Sequence, residues 1–198
     1  MTLCRRLHRD EAGITVMEMT VVVALLSLVL VVAFEGLTSY QGATAGNAAR
    51  LRNLEEARVS MAVLTKDLRT ASSFSSLAAA DVTFLGHLNT TATGPPNQVR
   101  LYVDGQGRLL EAVTAPDNPT ANPVTYTGTP ATRVVGEGLD TTATLLDYRD
   151  AADSPTTDTD EVASVVVTLS IDLPAPVEVP ATVLSSRVSL PNIAAAGP

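Results

Sequence analysis

The hydrophobic and polar positions divide the chain into an apolar N-terminal segment and a longer mixed region. Residues 14–34 read ITVMEMTVVVALLSLVLVVAF, and Glu18 is the only charged residue among these 21. A helix of this length rises about 31 Å, which matches a bilayer hydrocarbon core of about 30 Å. The pattern therefore predicts a transmembrane helix over residues 14–36, with one carboxylate near its start.

A second helical pattern follows the apolar segment. Its apolar and small polar residues recur mostly at steps of three and four, as on one face of a helix. These residues are Leu37, Tyr40, Thr44, Asn47, Leu51, Leu54, Met61, Leu64 and Leu68. Charged residues between them, including Lys66 and Asp67, suit an exposed face. The pattern predicts a helix over residues 37–74 that packs on a sheet, and three glycines predict a kinked or flexible stretch near residues 36–46.

From residue 79 onward, short alternating runs replace the helical pattern. The clearest is a hairpin over residues 98–113, in which apolar and polar positions alternate on either side of the turn DGQG. The other predicted extended segments are residues 81–88, 133–150, 161–173 and 177–190. A helix followed by many strands predicts an α+β fold. In this fold one long N-terminal helix packs on an antiparallel sheet, and residues 79–198 form a β-rich domain.

Charged residues around the apolar segment predict its orientation in a membrane. Arg5, Arg6 and Arg9 precede the segment, and no Lys or Arg follows it until Arg50. Because basic flanks stay in the cytoplasm, we expect a single-pass protein of the cytoplasmic (inner) membrane with a cytoplasmic N-terminus and an outside C-terminal domain. No A-x-A cleavage pattern is present at residues 33–36, which argues against a secretory signal peptide.

The composition argues against several classes of function. The formal net charge is −8, so a nucleic-acid partner is not expected. Cys4 is the one cysteine, which excludes an intramolecular disulfide and a cysteine-based metal site. G-x-S-x-G, G-x-x-x-x-G-K-[ST] and G-x-G-x-x-G motifs are absent, so we expect neither an enzyme nor a cofactor.

An acidic stretch raises the question of a calcium site. Its aspartates are Asp147, Asp150, Asp153, Asp158 and Asp160. Carboxylate oxygens are suitable calcium ligands, but their spacing here does not match an EF-hand. A solvated loop is therefore the favoured interpretation. We expect no metal site, and these five residues are weak calcium candidates.

A basic leader and Gly13 come before the apolar segment, and Glu18 is the fifth residue after that glycine. This arrangement resembles the type III signal of type IV prepilins and type II secretion pseudopilins, in which the residue after the glycine is usually Phe. Here that residue is Ile14. The resemblance implies that residues 1–13 are a leader, that a prepilin peptidase cuts between Gly13 and Ile14, and that Ile14 becomes N-methylated.

The resemblance also implies that the helix over residues 14–36 is first a membrane anchor and then the core of a helical filament. In that core Glu18 would pair with the new α-amino group of Ile14 in a neighbouring subunit, because an unpaired carboxylate is costly in a water-poor environment. The alternative for Glu18 is an acid at the lipid edge that snorkels or is protonated. The implied partners are membrane lipid, the prepilin peptidase, other major and minor pilins, and the inner-membrane assembly platform.

The segment MAVLTKDLRTA, at residues 61–71, is similar to one in the J-type minor pseudopilins and related minor pilins. This similarity implies a pilin-like fold and a subunit of a tip or initiation complex. It leaves open whether the machine is a pilus, a secretion system or a DNA-uptake system. The second interpretation of the whole chain is an unprocessed single-span, membrane-anchored extracytoplasmic adhesin or sensor domain.

Overall fold

Helix α1 spans Val16–Arg69 in the computed structural model, which describes residues 15–88 and 94–194. The helix is 54 residues long and continues through residues 36–46, so the glycines there do not end it. The chain divides into two compact units, one ending at Ala45 and the other covering Gly46–Pro198. The two helices predicted from the sequence are thus consecutive parts of one helix.

The helix ends at Arg69, and the prediction that it extends to residue 74 is wrong. Thr70 closes it with a turn, since its backbone N–H and its hydroxyl both donate to the Asp67 carbonyl, at 3.0 and 2.7 Å. The Asn192 amide donates to the Arg69 carbonyl at 3.2 Å and satisfies another helix end group. Strand β1, Ala71–Ala78, follows directly, so β-structure begins before the predicted residue 79.

Five strands form an antiparallel meander in which each strand pairs with the next one in the chain. They are β1 (Ala71–Ala78), β2 (Asp81–Gly86), β3 (Asn97–Val103), β4 (Leu109–Thr114) and β5 (Ala131–Gly136). The hairpin predicted over residues 98–113 is confirmed as β3 and β4. In its turn, the Asp104 carboxylate accepts hydrogen bonds from the backbone N–H groups of Gln106 and Arg108, at 2.9 and 3.0 Å. Gly107 adopts a φ of +72°, a conformation that favours glycine.

The remaining strands form a second antiparallel sheet, so the prediction of a single sheet is wrong. They are β6 (Leu146–Arg149), β7 (Ser164–Ile171) and β8 (Thr182–Ser189), and a short helix α2 (Pro191–Ala194) follows. The predicted extended segment at residues 133–150 supplies β5 to one sheet and β6 to the other. Between them, the Leu139 N–H donates to the Gly107 carbonyl at 2.9 Å and the Asp140 N–H donates to the Ser170 carbonyl at 3.0 Å. These bonds hold the segment as it passes from the first sheet to the second.

The hydrophobic core joins the last part of α1 to strands of both sheets, as expected for an α+β fold. Its α1 members are Ala57, Met61, Leu64 and Leu68, and its strand members include Phe84, Leu101, Val165 and Leu169. The predicted helix stripe is wrong over residues 37–51, where all of its members are exposed, Leu51 at 66%. Small residues such as Ala49 and Ser60 are buried instead. At Ser60 the small side chain lets the helix backbone approach β5 closely.

Gly136 on β5 lies where the first sheet approaches α1 closely. A Cβ at this position would lie 2.1 Å from Ser60 Oγ, whose hydroxyl donates to the Val135 carbonyl. We expect Gly136→Ala to lower the free energy of unfolding by about 1–3 kcal/mol, the usual cost of overpacking. Urea unfolding of the detergent-solubilised chain, followed by tyrosine fluorescence, measures this loss.

The control for this variant is Gly105→Ala, because no atom lies within 4 Å of a Cβ built at Gly105. Adding Ser60→Ala to Gly136→Ala should recover part of the loss, since it removes the clashing oxygen. Equal stabilities for Gly136→Ala and Gly105→Ala would contradict the close approach.

Candidate functional site

The first turn of α1 is capped by Thr15, the residue directly before the helix. The Thr15 hydroxyl accepts a hydrogen bond from the Glu18 backbone N–H at 3.2 Å, and its carbonyl accepts one from the Met19 N–H at 3.1 Å. Thr suits this position because it satisfies a backbone donor that has no partner within the helix. The Thr-x-x-Glu pattern at residues 15–18 is the sequence signal for such a cap. The sequence-based prediction of a membrane anchor and filament core gave Thr15 no role. The cap fixes Glu18 in the first helical turn.

The apolar part of α1 leaves its large side chains exposed. Every Val, Leu, Met and Phe at residues 16–37 is between 48% and 85% exposed. The most apolar 18-residue window of α1 has a mean hydropathy of 2.6, and none of it is buried. Contiguous apolar surface of this extent marks a membrane or protein contact surface. By length and composition, this one helix in the described part of the chain could cross a membrane.

The hydroxyl groups of this segment are satisfied within the helix itself. Thr20 Oγ1 donates to the Val16 carbonyl at 2.8 Å, and Ser27 Oγ donates to the Val23 carbonyl at 2.7 Å. Such bonds to the preceding turn let Ser and Thr enter an apolar environment without an outside partner. Residues 16–34 contain no other polar side chain except Glu18.

Glu18 is therefore the one side chain of this segment that needs a partner from elsewhere. Among the residues that the structure describes, none donates a hydrogen bond to its carboxylate. A carboxylate in the middle of a membrane helix costs about 3 kcal/mol of insertion free energy, and less near the helix end. Glu18 also lies at the positive end of the helix dipole, which is worth about 0.3–1 kcal/mol. The dipole compensates only part of the cost of an apolar environment.

The predicted processing residues, Gly13 and Ile14, lie outside the described residues. The structure therefore gives no geometry for the cleavage site. Cleavage between these residues and methylation of Ile14 stay predictions from the sequence.

The acidic loop, residues 150–163 between β6 and β7, uses several of its carboxylates within the chain. Asp150 Oδ1 accepts hydrogen bonds from the backbone N–H groups of Ala152 and Ser154, both at 2.8 Å. Two other carboxylates of the loop also bond within the chain, since Asp158 accepts from the Asp160 N–H and Asp153 pairs with Arg187. Asp147, on β6 just before the loop, pairs with Arg149. In the described part of the chain, no group of three or more His, Cys, Asp or Glu is arranged to hold a metal ion. The loop geometry adds no support to the calcium alternative.

A second group of charges, the carboxyl cluster of Asp67, Glu111 and Arg133, lies where α1 meets the first sheet. Asp67 and Glu111 are both 2% exposed, which corrects the prediction that Asp67 faces solvent. Glu111 on β4 is the register partner of Arg133 on β5, and the two side chains form an ion pair. Asp67 Oδ2 has no hydrogen-bond partner among the described residues. Burial, reinforced by the nearby charge of Glu111, raises the pKa of Asp67 to about 6.

The carboxyl cluster could not be found from the sequence. Asp67 lies between Lys66 and Leu68 on a helix, and Glu111 sits in an alternating strand, so local patterns place neither in a shared site. Only the packing of α1 on β4 brings the two carboxylates together.

Comparisons with protein-family models, with curated proteins and with solved structures find no match to this chain.

Proposed function

We propose that this chain is a minor pilin or pseudopilin that assembles into a type IV pilus-like or type II secretion filament, in its tip or initiation complex. The observation that carries the proposal is Glu18, the only charged side chain of residues 16–34, which lies in the first turn of α1 among exposed apolar side chains. The basic leader and Gly13 before that helix supply the resemblance to a prepilin signal. The proposed fold is pilin-like, with the Gly46–Pro198 unit as the domain outside the membrane.

The physical basis of assembly is the transfer of the apolar helix from lipid to a filament core. The exposed apolar side chains at residues 16–37 can pack equally well against lipid or against neighbouring helices, since both surroundings are apolar. Glu18 distinguishes these two surroundings, because a filament core can offer it a cation. Cleavage after Gly13 would create such a cation, the α-amino group of Ile14.

Pairing with that amine would select one axial position between neighbouring subunits. In a water-poor core the attraction of opposite charges is strong, and breaking such a pair by removing one partner costs about 3–5 kcal/mol. A displaced neighbour would leave both charges unpaired. The proposed role of Glu18 is therefore to set register, and the proposed role of the exposed apolar surface is to supply the packing.

We expect the mature chain to begin at Ile14 with an N-methyl group. Intact-mass analysis of protein extracted from membranes, with and without the prepilin peptidase, measures both changes. The matched control is Gly13→Val, which alters the residue before the cut and should leave the leader attached even when the peptidase is present.

Two results would contradict processing of the prepilin type. A chain that keeps Arg5, Arg6 and Arg9 in peptidase-positive cells would favour the unprocessed adhesin or sensor domain. A chain that begins after residues 33–36 would instead identify the apolar segment as a secretory signal sequence.

A further inference from the structure

A groove of about 600 Å³ lies beside the last turns of α1, between the helix and β8. Its apolar lining comes from Met61, Ala62 and Leu184, and its charged lining comes from Arg58, Lys66 and Arg69. We call this site the basic groove. It combines an apolar surface with three positive charges on a chain whose net charge is −8.

The cations of the basic groove take part in none of the ion pairs among the described residues. The arginines in those pairs are Arg100, Arg108, Arg133, Arg149 and Arg187. Long cationic side chains beside an apolar surface favour a ligand that offers both carboxylates and apolar contact. The groove is therefore suited to an acidic protein segment.

The same chain carries such a segment in the acidic loop. Asp158, Asp160 and Glu161 are exposed, and none of them belongs to an ion pair among the described residues. Threonines alternate with the acids here, in the sequence TTDTDE at residues 156–161, and their methyl groups can contact an apolar lining. The loop therefore offers three carboxylates, the same number as the cations that line the groove.

The geometry of the second sheet keeps the loop away from the groove of its own chain. The loop follows the end of the β6–β7 pair at which Arg149 pairs with Ser164. Leu184, which lines the groove, pairs with Leu169, and Leu169 is five residues after Ser164 on β7. That separation is about 17 Å along the strand. Arg187, which binds Asp153 of the loop, is three residues from Leu184 and thus projects from the opposite face of β8.

We propose that the basic groove receives the acidic loop of a second copy of this chain. Because groove and loop are different surfaces, the contact is heterologous, and repeating it adds copies in a row rather than closing a symmetric dimer. This inference rests on the proposed function and adds to it that more than one copy of this chain lies side by side in the tip or initiation complex. It assigns the contact between neighbouring domains, which is separate from the pairing of Glu18.

Cysteine cross-linking in membranes tests this contact without altering any charge. In a Cys4→Ser background, Ala62→Cys reports on the groove and Thr159→Cys reports on the loop. We expect the chain with both substitutions to form disulfide-linked dimers and longer multiples on oxidation. The matched control replaces Ala62→Cys by Val59→Cys, at a 50% exposed position of α1 that does not line the groove.

Charge reversal then tests the electrostatic part of the contact. In the chain with both cysteines, Lys66→Glu should lower the cross-linked fraction about tenfold, because like charges would then face each other. Adding Asp160→Lys to the same chain should restore it. Cross-linking equal to the Val59→Cys control, cross-linking of the groove to a different protein, or no effect of either charge change would overturn the proposal.

The same samples separate this inference from the proposed function. A chain that begins at Ile14 and enters sheared filaments, but does not cross-link to other copies, would retain the function and refute the contact. A chain that keeps its leader and stays out of filaments would refute the function itself.

Discussion

Replacing Glu18 by alanine is expected to leave membrane insertion and leader cleavage intact, yet to remove the chain from filaments. Insertion should persist because the change deletes the only charge in residues 16–34 and leaves the apolar side chains in place. Filament entry should fail because the amine of a neighbour would then be buried without a partner. A loss of about 3–5 kcal/mol corresponds to at least about a hundredfold less incorporation. Immunoblots of sheared filaments, normalised to the membrane-bound pool, measure it.

Glu18→Gln distinguishes the charge from the helix cap. The hydrogen bond at the cap joins the Thr15 hydroxyl to the backbone N–H of residue 18, so it survives this substitution. If Glu18 acted only on the helix dipole, its loss would cost about 0.3–1 kcal/mol, and incorporation would fall less than about tenfold. The pairing role instead predicts that Glu18→Gln is nearly as defective as Glu18→Ala.

The matched control is Glu35→Gln, at an exposed carboxylate of α1 just beyond the apolar segment. It changes the same functional group on the same helix, and we expect normal incorporation. Normal incorporation of Glu18→Gln, or equal defects in Glu18→Gln and Glu35→Gln, would refute a specific pairing role for Glu18.

Asp67→Asn is expected to stabilise the chain near neutral pH by about 2–3 kcal/mol. The folded-state pKa of Asp67 is about 6, against an ordinary value of 3.8, because the carboxyl is buried and close to Glu111. A raised folded-state pKa means that the folded chain holds this proton more tightly than the unfolded chain does. The shift of about 2.2 pKa units, at 1.36 kcal/mol each, sets the upper limit of the destabilisation once Asp67 is ionised.

The pH dependence of this effect has a definite sign. The stabilisation from protonated Asp67 is complete below pH 3.8 and disappears as the pH rises through about 6. We therefore expect the advantage of Asp67→Asn to be largest at pH 7.5 and smaller by about 1.5 kcal/mol at pH 5. Urea unfolding of both chains in detergent, followed by tyrosine fluorescence, measures the difference at each pH. Comparing the two chains cancels the titration of the other carboxylates.

Asp160→Asn is the control, because Asp160 is exposed in the acidic loop. This change should leave the unfolding free energy nearly unaltered at both pH values. A destabilising effect of Asp67→Asn, or an effect that does not change with pH, would contradict the conclusion that ionised Asp67 destabilises the folded chain.

Local patterns were sufficient for the features that depend on neighbours in sequence. The exposed apolar helix was predictable because a run of 21 residues with one charge has few other outcomes. The β3–β4 hairpin was predictable because alternation on both sides of Asp104–Gly107 specifies both the strands and their turn. The Thr15 cap has a local signal in the Thr-x-x-Glu pattern, but it was not predicted from the sequence.

The errors in the predicted fold arose where contacts between distant residues override a local pattern. Helical spacing favoured Leu51 for the buried face of α1, but Leu51 is exposed and Ser60 is buried, because a small side chain at residue 60 permits the approach of Gly136. Strand β1 was missed because its Ser- and Ala-rich sequence has no regular alternation of apolar and polar residues. It is a strand because it pairs with β2, with two irregularities in the register.

The sequence by itself determined the membrane-length apolar helix, the acid near its start and the α+β class, because each depends on composition and short-range periodicity. The tertiary structure alone decided the division into two sheets, the burial of Asp67 beside Glu111 and the basic groove between α1 and β8. The physical reason is that the burial and the electrostatic surroundings of a residue depend on contacts with residues far away in the chain. The sequence of one segment does not specify which distant segment will pack against it.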